Sequence, residues 1–246
     1  MTEKVQLFIT CLGEQFYPAT LKNMVVLLER LGVSVVFPDQ QTCCGQPFFN
    51  NGFQEKARKV ARGWLHAFGK SPLAVVSPSG SCVATVRHHY VDLFPVGSPE
   101  HELAVDLSGR TFEFTEYLTQ HLKVTDVGAS FPHRVTYHAS CHLLREMHMR
   151  DEPKELLKAV RGLDFIEMKE EETCCGFGGS LSLLYPGVSQ SMMEHKVQNV
   201  IDCGAEVVVV AEAGCLMNIG GGLKRAGSSI RALHLIDVLA SRECVS

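Results

Sequence analysis

Nothing in this sequence equips the chain to hold a polyanion. Its 23 Lys and Arg are outnumbered by 27 Asp and Glu, a formal net charge of −4 at pH 7. That balance leaves no basic footprint for nucleic acid or an anionic lipid surface. Long apolar runs are missing too: none approaches the roughly 18 residues that mark a membrane-spanning helix. The first residues, Met1-Thr2-Glu3-Lys4, pass straight into a strand-like segment without the charged and apolar regions of a secretory signal, so the expected location is cytoplasmic. No Gly-x-Gly-x-x-Gly opens a helix after a strand, which argues against a self-contained nucleotide or flavin site. The run Gly220-Gly221-Gly222 follows a helical segment and does not supply one.

What the chain has in quantity is cysteine, ten residues in 246. In a reducing compartment these are expected to ligate metal or do redox work rather than form a disulfide framework. Eight of them fall into two matching sets. The first is Cys11, Cys43-Cys44-Gly45 and Cys82; the second is Cys141, Cys174-Cys175-Gly176 and Cys215. The lone cysteine and the pair are separated by 31 residues in the first set and 32 in the second, and the glycine and last cysteine by 36 and 38. Free cysteine is often simply a small buried hydrophobe, but core packing gives no reason for two congruent sets of four. Soft ligands in fours point to metal or iron–sulfur chemistry carried out twice on a duplicated scaffold. Cys203, ending an amphipathic helix, and Cys244, in the tail, fall outside the repeat and are expected to be non-ligands.

The duplication extends to the strands. Val5-Gln-Leu-Phe-Ile-Thr-Cys11 and Val135-Thr-Tyr-His-Ala-Ser-Cys141 have equal length and end alike; Leu73–Ser77 and Val207–Ala211 precede Cys82 and Cys215. Such short, nearly continuous apolar runs suit buried parallel strands. Helical spacing runs from Thr20 to Arg30, from Phe53 to Phe68 and from Val188 to Cys203. The alternation predicts an α/β fold of two duplicated halves, each a small, mostly parallel sheet with flanking helices. The halves are placed at 1–128 and 129–246, joined within Val124–His133, with Phe112–Leu122 as a helix of either one. Ligands in such sheets gather beyond the carboxyl ends of the strands, where the cysteines are expected.

An adjacent Cys-Cys pair can face one site only through a tight turn, because neighbouring side chains of an extended segment point apart. The glycine after each pair supplies the freedom for that turn. Gly178 and Gly179 extend it around the second site, with Asn50, Asn51 and Gly52 in the corresponding place around the first. His142, next to Cys141, is expected to orient a ligand rather than bind metal. His138 is expected in the strand core, His88 and His89 on the surface, and Met192 and Met193 in a helix core.

The stretches Thr42-Cys-Cys-Gly-Gln-Pro-Phe-Phe-Asn-Asn-Gly52, Pro78-Ser-Gly-Ser-Cys82, His138-Ala-Ser-Cys-His142, Cys174-Cys-Gly-Phe-Gly-Gly179 and Gly214-Cys-Leu-Met-Asn-Ile-Gly-Gly221 together resemble the cysteine-rich CCG-domain family. That family includes the B subunit of heterodisulfide reductase and the iron–sulfur subunit of glycolate oxidase. The resemblance covers nearly the whole chain and implies an iron–sulfur cluster in each half, held by Cys11, Cys43, Cys44 and Cys82 and by Cys141, Cys174, Cys175 and Cys215. The full family motif ends in Cys-x-x-Cys and its five cysteines hold a non-cubane four-iron cluster. Here the position three before the last cysteine is Ser79 in one half and Glu212 in the other. With four thiolates per half the options are an ordinary [4Fe–4S] cluster, a cluster with an oxygen ligand from Ser79 or Glu212, or zinc in one half. Capping a helix is the default role for Ser79, and capping or a hydrogen bond to the cluster's surroundings is favoured for Glu212.

By the same resemblance the chain is an electron-transfer subunit of a cytoplasmic oxidoreductase complex that oxidises L-lactate to pyruvate. Its implied partners are a larger ferredoxin-like iron–sulfur subunit and a third small lactate utilization protein. Two alternatives stand beside it: a heterodisulfide reductase-like thiol/disulfide redox subunit, and a zinc-stabilised assembly protein without redox function.

Overall fold

The structure, a computed structural model, describes residues 3–242. The chain divides into two compact units, Met1–Tyr117 and Leu118–Ser246. Each is built on a four-stranded, wholly parallel sheet. In the first unit the strands are β1 (Lys4–Leu7), β2 (Ser34–Val36), β3 (Ala74–Ser77) and β4 (Thr111–Glu113), in the spatial order β2-β1-β3-β4. The second repeats this with β5 (Arg134–His138), β6 (Asp164–Phe165), β7 (Val207–Val210) and β8 (Arg231–His234), ordered β6-β5-β7-β8. Val5 pairs with Val35 and Ala74, and Val135 with Phe165 and Val207, so even the register is shared.

The central strands read as apolar runs because helices cover both faces. Val207, Val208, Val209 and Val210 have no exposed surface at all. Around the first sheet lie the helices Pro18–Arg30, Gln54–Phe68 and Pro99–Gly109. Their counterparts in the second unit include Glu152–Lys158, Pro186–Asp202 and Ala213–Arg225. Trp64, Leu65 and Phe68 bury one stripe of the Gln54–Phe68 helix against Phe8 of the strand end, with Phe8 edge-on to Trp64 at 5.4 Å between ring centres.

One expectation needs correction, and another gains a reason. Phe112 belongs to strand β4, and the segment after it is a short helical turn, Phe114–Glu116, followed by a wider turn over Tyr117–His121. A capping box starts it, the Glu113 carboxylate accepting from Thr115 N and Glu116 N. The triple glycine 220–222 lies inside the Ala213–Arg225 helix. It serves close packing: a Cβ on Gly222 would stand 2.1 Å from Met193 Sδ and 2.7 Å from Val197 Cγ2 on the neighbouring helix. No helix among the described residues is long and apolar enough to cross a membrane.

Candidate metal centre

In each unit the carboxyl ends of the two central strands deliver two of the cysteines. Cys11 begins the helix Cys11–Phe16 after β1, and Cys82 lies in the helix Gly80–Ala84 after β3. Cys141 begins Cys141–Arg145 after β5, and Cys215 lies in the first turn of Ala213–Arg225 after β7. The Cys-Cys pairs come from loops. Thiolates at a helix start gain from the orphan N–H groups and the positive end of the peptide dipoles.

Gly45 and Gly176 turn the chain at positive φ, +79° and +84°. At Gly176 a side chain is also sterically excluded, since its Cβ would meet Ser189 O at 2.5 Å. The amide of each glycine is directed back at the first sulfur of its pair: Gly45 N lies 3.5 Å from Cys43 Sγ and Gly176 N 3.4 Å from Cys174 Sγ. The carbonyl of the second cysteine is fixed in both units. Tyr90 Oη donates to Cys44 O and Asn218 Nδ2 to Cys175 O, each at 2.8 Å.

The sulfurs of the first set meet in pairs, Cys11 Sγ 3.8 Å from Cys43 Sγ and Cys44 Sγ 3.2 Å from Cys82 Sγ. Hydrogen bonding from Cys11, then from Cys44, holds the Cys43 thiol far below the ordinary thiol range. The same contact, with burial, pushes Cys11 up, and Cys44 is pushed up by Cys43 and Cys82. The second set repeats the pattern. Cys174 is lowered by hydrogen bonds from Cys141 and Cys175, and Cys215 by one from Cys175, while Cys141 and Cys175 are raised. Contacts of this kind mark thiols crowded at one point, where some shed protons and their neighbours donate to them. Exposure is graded, from exposed Cys11 through half-buried Cys43 to buried Cys44 and Cys82.

The walls of the two sites differ. Cys44 and Cys82 share an apolar cluster with Phe8, Trp64, Val86, Tyr90 and Leu93. The second set faces two polar groups that have no exposed surface, His138 and Lys196. The Lys196 ammonium donates to Glu170 O at 2.6 Å and Glu171 O at 3.1 Å, tying down the loop that carries Cys174. Burial lowers its pKa to about 8. His138 is in the strand core as its neighbours suggest. Its ring, however, groups with Cys175 and Cys215, with one nitrogen and both sulfurs all within 4.8 Å of one another. A lone histidine in an apolar strand gives little sign of this. Its position three residues before Cys141, where the matched strand has Phe8, was the available clue.

Ser79 and Glu212 both occupy N-cap positions with extended backbone, yet neither makes a side-chain cap. The Ser79 hydroxyl lies 3.2 Å from that of Ser81 instead. Cys203 closes the Pro186–Asp202 helix and its thiol donates to Val200 O; Cys244 lies outside the described residues. His142 pairs with Glu146 at 3.5 Å, and His89 stacks on Phe49 at 4.4 Å.

Comparison with known proteins agrees with this duplication. The family model for the cysteine-rich domain CCG matches twice, at residues 5–87 and 135–220. Lactate utilization protein A of Halalkalibacterium halodurans is 44% identical over 240 residues, 98% of each chain. The protein of that name from Oceanobacillus iheyensis is 43% identical over 237 residues, 96% of each chain, and that from Geobacillus kaustophilus 42% over 240 residues, 97% of this chain and 99% of the other. Among solved structures, a hypothetical protein from Helicobacter pylori superposes with a TM-score of 0.69 at 12% identity. All of this chain corresponds to half of that one, a likeness of fold alone. Matched in both units and by full-length relatives above 40% identity, the chain belongs to the cysteine-rich CCG domain family, the family of the proteins named lactate utilization protein A.

Proposed function

We propose that each cysteine set holds an iron–sulfur cluster of the [4Fe–4S] type. On this reading the chain is an electron-transfer subunit of a cytoplasmic complex that oxidises L-lactate to pyruvate. The observation that carries it is the gathering of four thiols per unit at the carboxyl end of a parallel sheet, with acidities split by mutual contact. The donor set fits: four soft sulfurs, two of them on helix starts, and glycines that bring backbone amides against sulfur. A cluster bound there supplies one-electron transfer at a potential set by charge, hydrogen bonds and exposure.

The protein's own groups set those conditions. Gly45 and Gly176 amides donate toward Cys43 and Cys174, spreading negative charge off the sulfur. Tyr90 and Asn218 lock the backbone of the inner cysteines, so the thiols keep their places when electrons pass. Lactate enters from the names of relatives; the partners expected with it, by the family resemblance, are a ferredoxin-like iron–sulfur subunit and a third small lactate utilization protein.

Zinc in one unit is the second reading, and one distance favours it. Sulfurs on a single tetrahedral zinc stand about 3.8 Å apart, from a Zn–S bond of about 2.3 Å, and Cys11 and Cys43 are 3.8 Å apart. Anaerobic purification followed by iron, sulfide and zinc analysis, with electron paramagnetic resonance of the reduced protein, decides. Iron and sulfide near eight per chain support clusters in both units. Zinc without iron would overturn the electron-transfer reading.

A further inference from the structure

We propose that His138 supplies a nitrogen ligand to the metal centre of the second cysteine set, so that this centre differs chemically from the first. The inference rests on the reading of the sets as iron–sulfur sites. Its carrying observation is a buried imidazole that no oxygen or nitrogen of the protein satisfies and that interacts instead with thiols of the second set. His138 has no exposed surface, neither Nδ1 nor Nε2 has a well-formed hydrogen bond, and the ring acts on the Cys215 and Cys174 thiols. Buried polar atoms are nearly always satisfied, and an exception calls for a cause such as an ion or cofactor at that place.

The ring's surroundings supply that cause. A ring nitrogen and the sulfurs of Cys175 and Cys215 lie within 4.8 Å of one another, a spacing at which one metal centre can bind all three. Strand β5 puts the ring there through its pleat. Thr136 and His138 share one face of the strand, and the Ser140 that follows is buried like them, its side chain acting on the Cys215 thiol. Polar side chains have thus accumulated along this strand end. In the first unit the position three before the lone cysteine is Phe8, which packs edge-on against Trp64 and Phe68 and has no donor atom to offer. A neutral imidazole brings a nitrogen donor without a thiolate's negative charge, so the second centre is expected to differ in potential from the first.

The test uses the full chain, labelled with 15N-histidine, prepared anaerobically and reduced, with pulsed electron paramagnetic resonance reading nitrogen coupled to iron. The expected result is one strongly coupled histidine nitrogen in the wild type, absent from His138→Phe. Should His138→Phe lose half of the iron, His138→Cys is expected to restore it without the nitrogen signal, because a thiolate can replace the ligand and no purely structural role would be rescued that way. Full iron and sulfide with only weakly coupled nitrogen, or a strong coupling that persists in His138→Phe, overturns the inference and leaves the cluster reading standing. A failure of His138→Cys to restore lost iron likewise overturns it. A preparation with neither iron nor sulfide overturns the cluster reading itself, and this inference with it.

Discussion

The two cysteine sites have nearly the same skeleton and opposite linings. Strand order, register, the glycine after each pair and the clamp on the inner cysteine carbonyl are common to both. Around them, the first site has Phe8, Trp64 and Tyr90, and the second has His138, Lys196 and Asn218. The lesson is that backbone and sulfur positions set what kind of group is held, while the lining sets how it behaves. An ammonium beside the second set favours added negative charge there, and an aromatic wall around the first does not.

The most severe way to break the symmetry is to remove one cysteine of a set. Cys44→Ser and Cys174→Ser are each expected to cost about half the bound metal while the other unit keeps its share, since the units carry separate sets. Metal analysis of the two variants checks this, and loss of all metal from either would mean that the sites are not independent. Next comes the lining. Trp64→Ala is expected to lose about 3–5 kcal/mol of stability by opening a cavity, measured by urea unfolding. Lys196→Met removes two hydrogen bonds from a charged donor to loop carbonyls that keep their other donors, Thr173 and Ala139, at a cost of about 1–3 kcal/mol, and lowers the potential of the second centre only. Equal shifts at both centres would count against the contrast drawn here.

A milder contrast lies at the ends of the fourth strands, where Glu113 caps one helix and His234 the other. Burial raises the Glu113 carboxyl to about 7 from an ordinary 4.5. The folded state therefore holds this proton more tightly than the unfolded chain. Its contribution is fully present below about pH 4.5 and falls as pH rises to about 7, by at most about 3 kcal/mol. Glu113→Gln is expected to flatten that slope in unfolding curves taken across the window; an unchanged slope would show that another group is responsible. The smallest effect is expected from Cys203→Ser, with metal content unaltered and stability within about 0.5 kcal/mol.

Much of this arrangement could be read before any coordinates. The valine run of β7 and the apolar stripe of Gln54–Phe68 declare themselves because burial on every side forces a continuous or periodic pattern. The edge strands Thr111–Glu113 and Arg231–His234 do not, being three and four residues long, too short for a period to show. From sequence, Phe112 therefore reads as part of a helix that starts only after Glu113. Cysteines in sets announce ligation because few other uses explain paired sulfur. His138 and Lys196 stay hidden, since their surroundings come from residues far along the chain: Cys175 and Cys215 for one, the carbonyls of Glu170 and Glu171 for the other.

The graded exposure of the first set gives that site a wet edge at Cys11 and a dry one at Cys44 and Cys82. Electron tunnelling weakens steeply with distance, so a cluster held there would exchange electrons fastest through the sulfur nearest solvent. Dissolved oxygen arrives by the same side. Speed and fragility would then share a single doorway, and whatever covers Cys11 during turnover would also act as its shield.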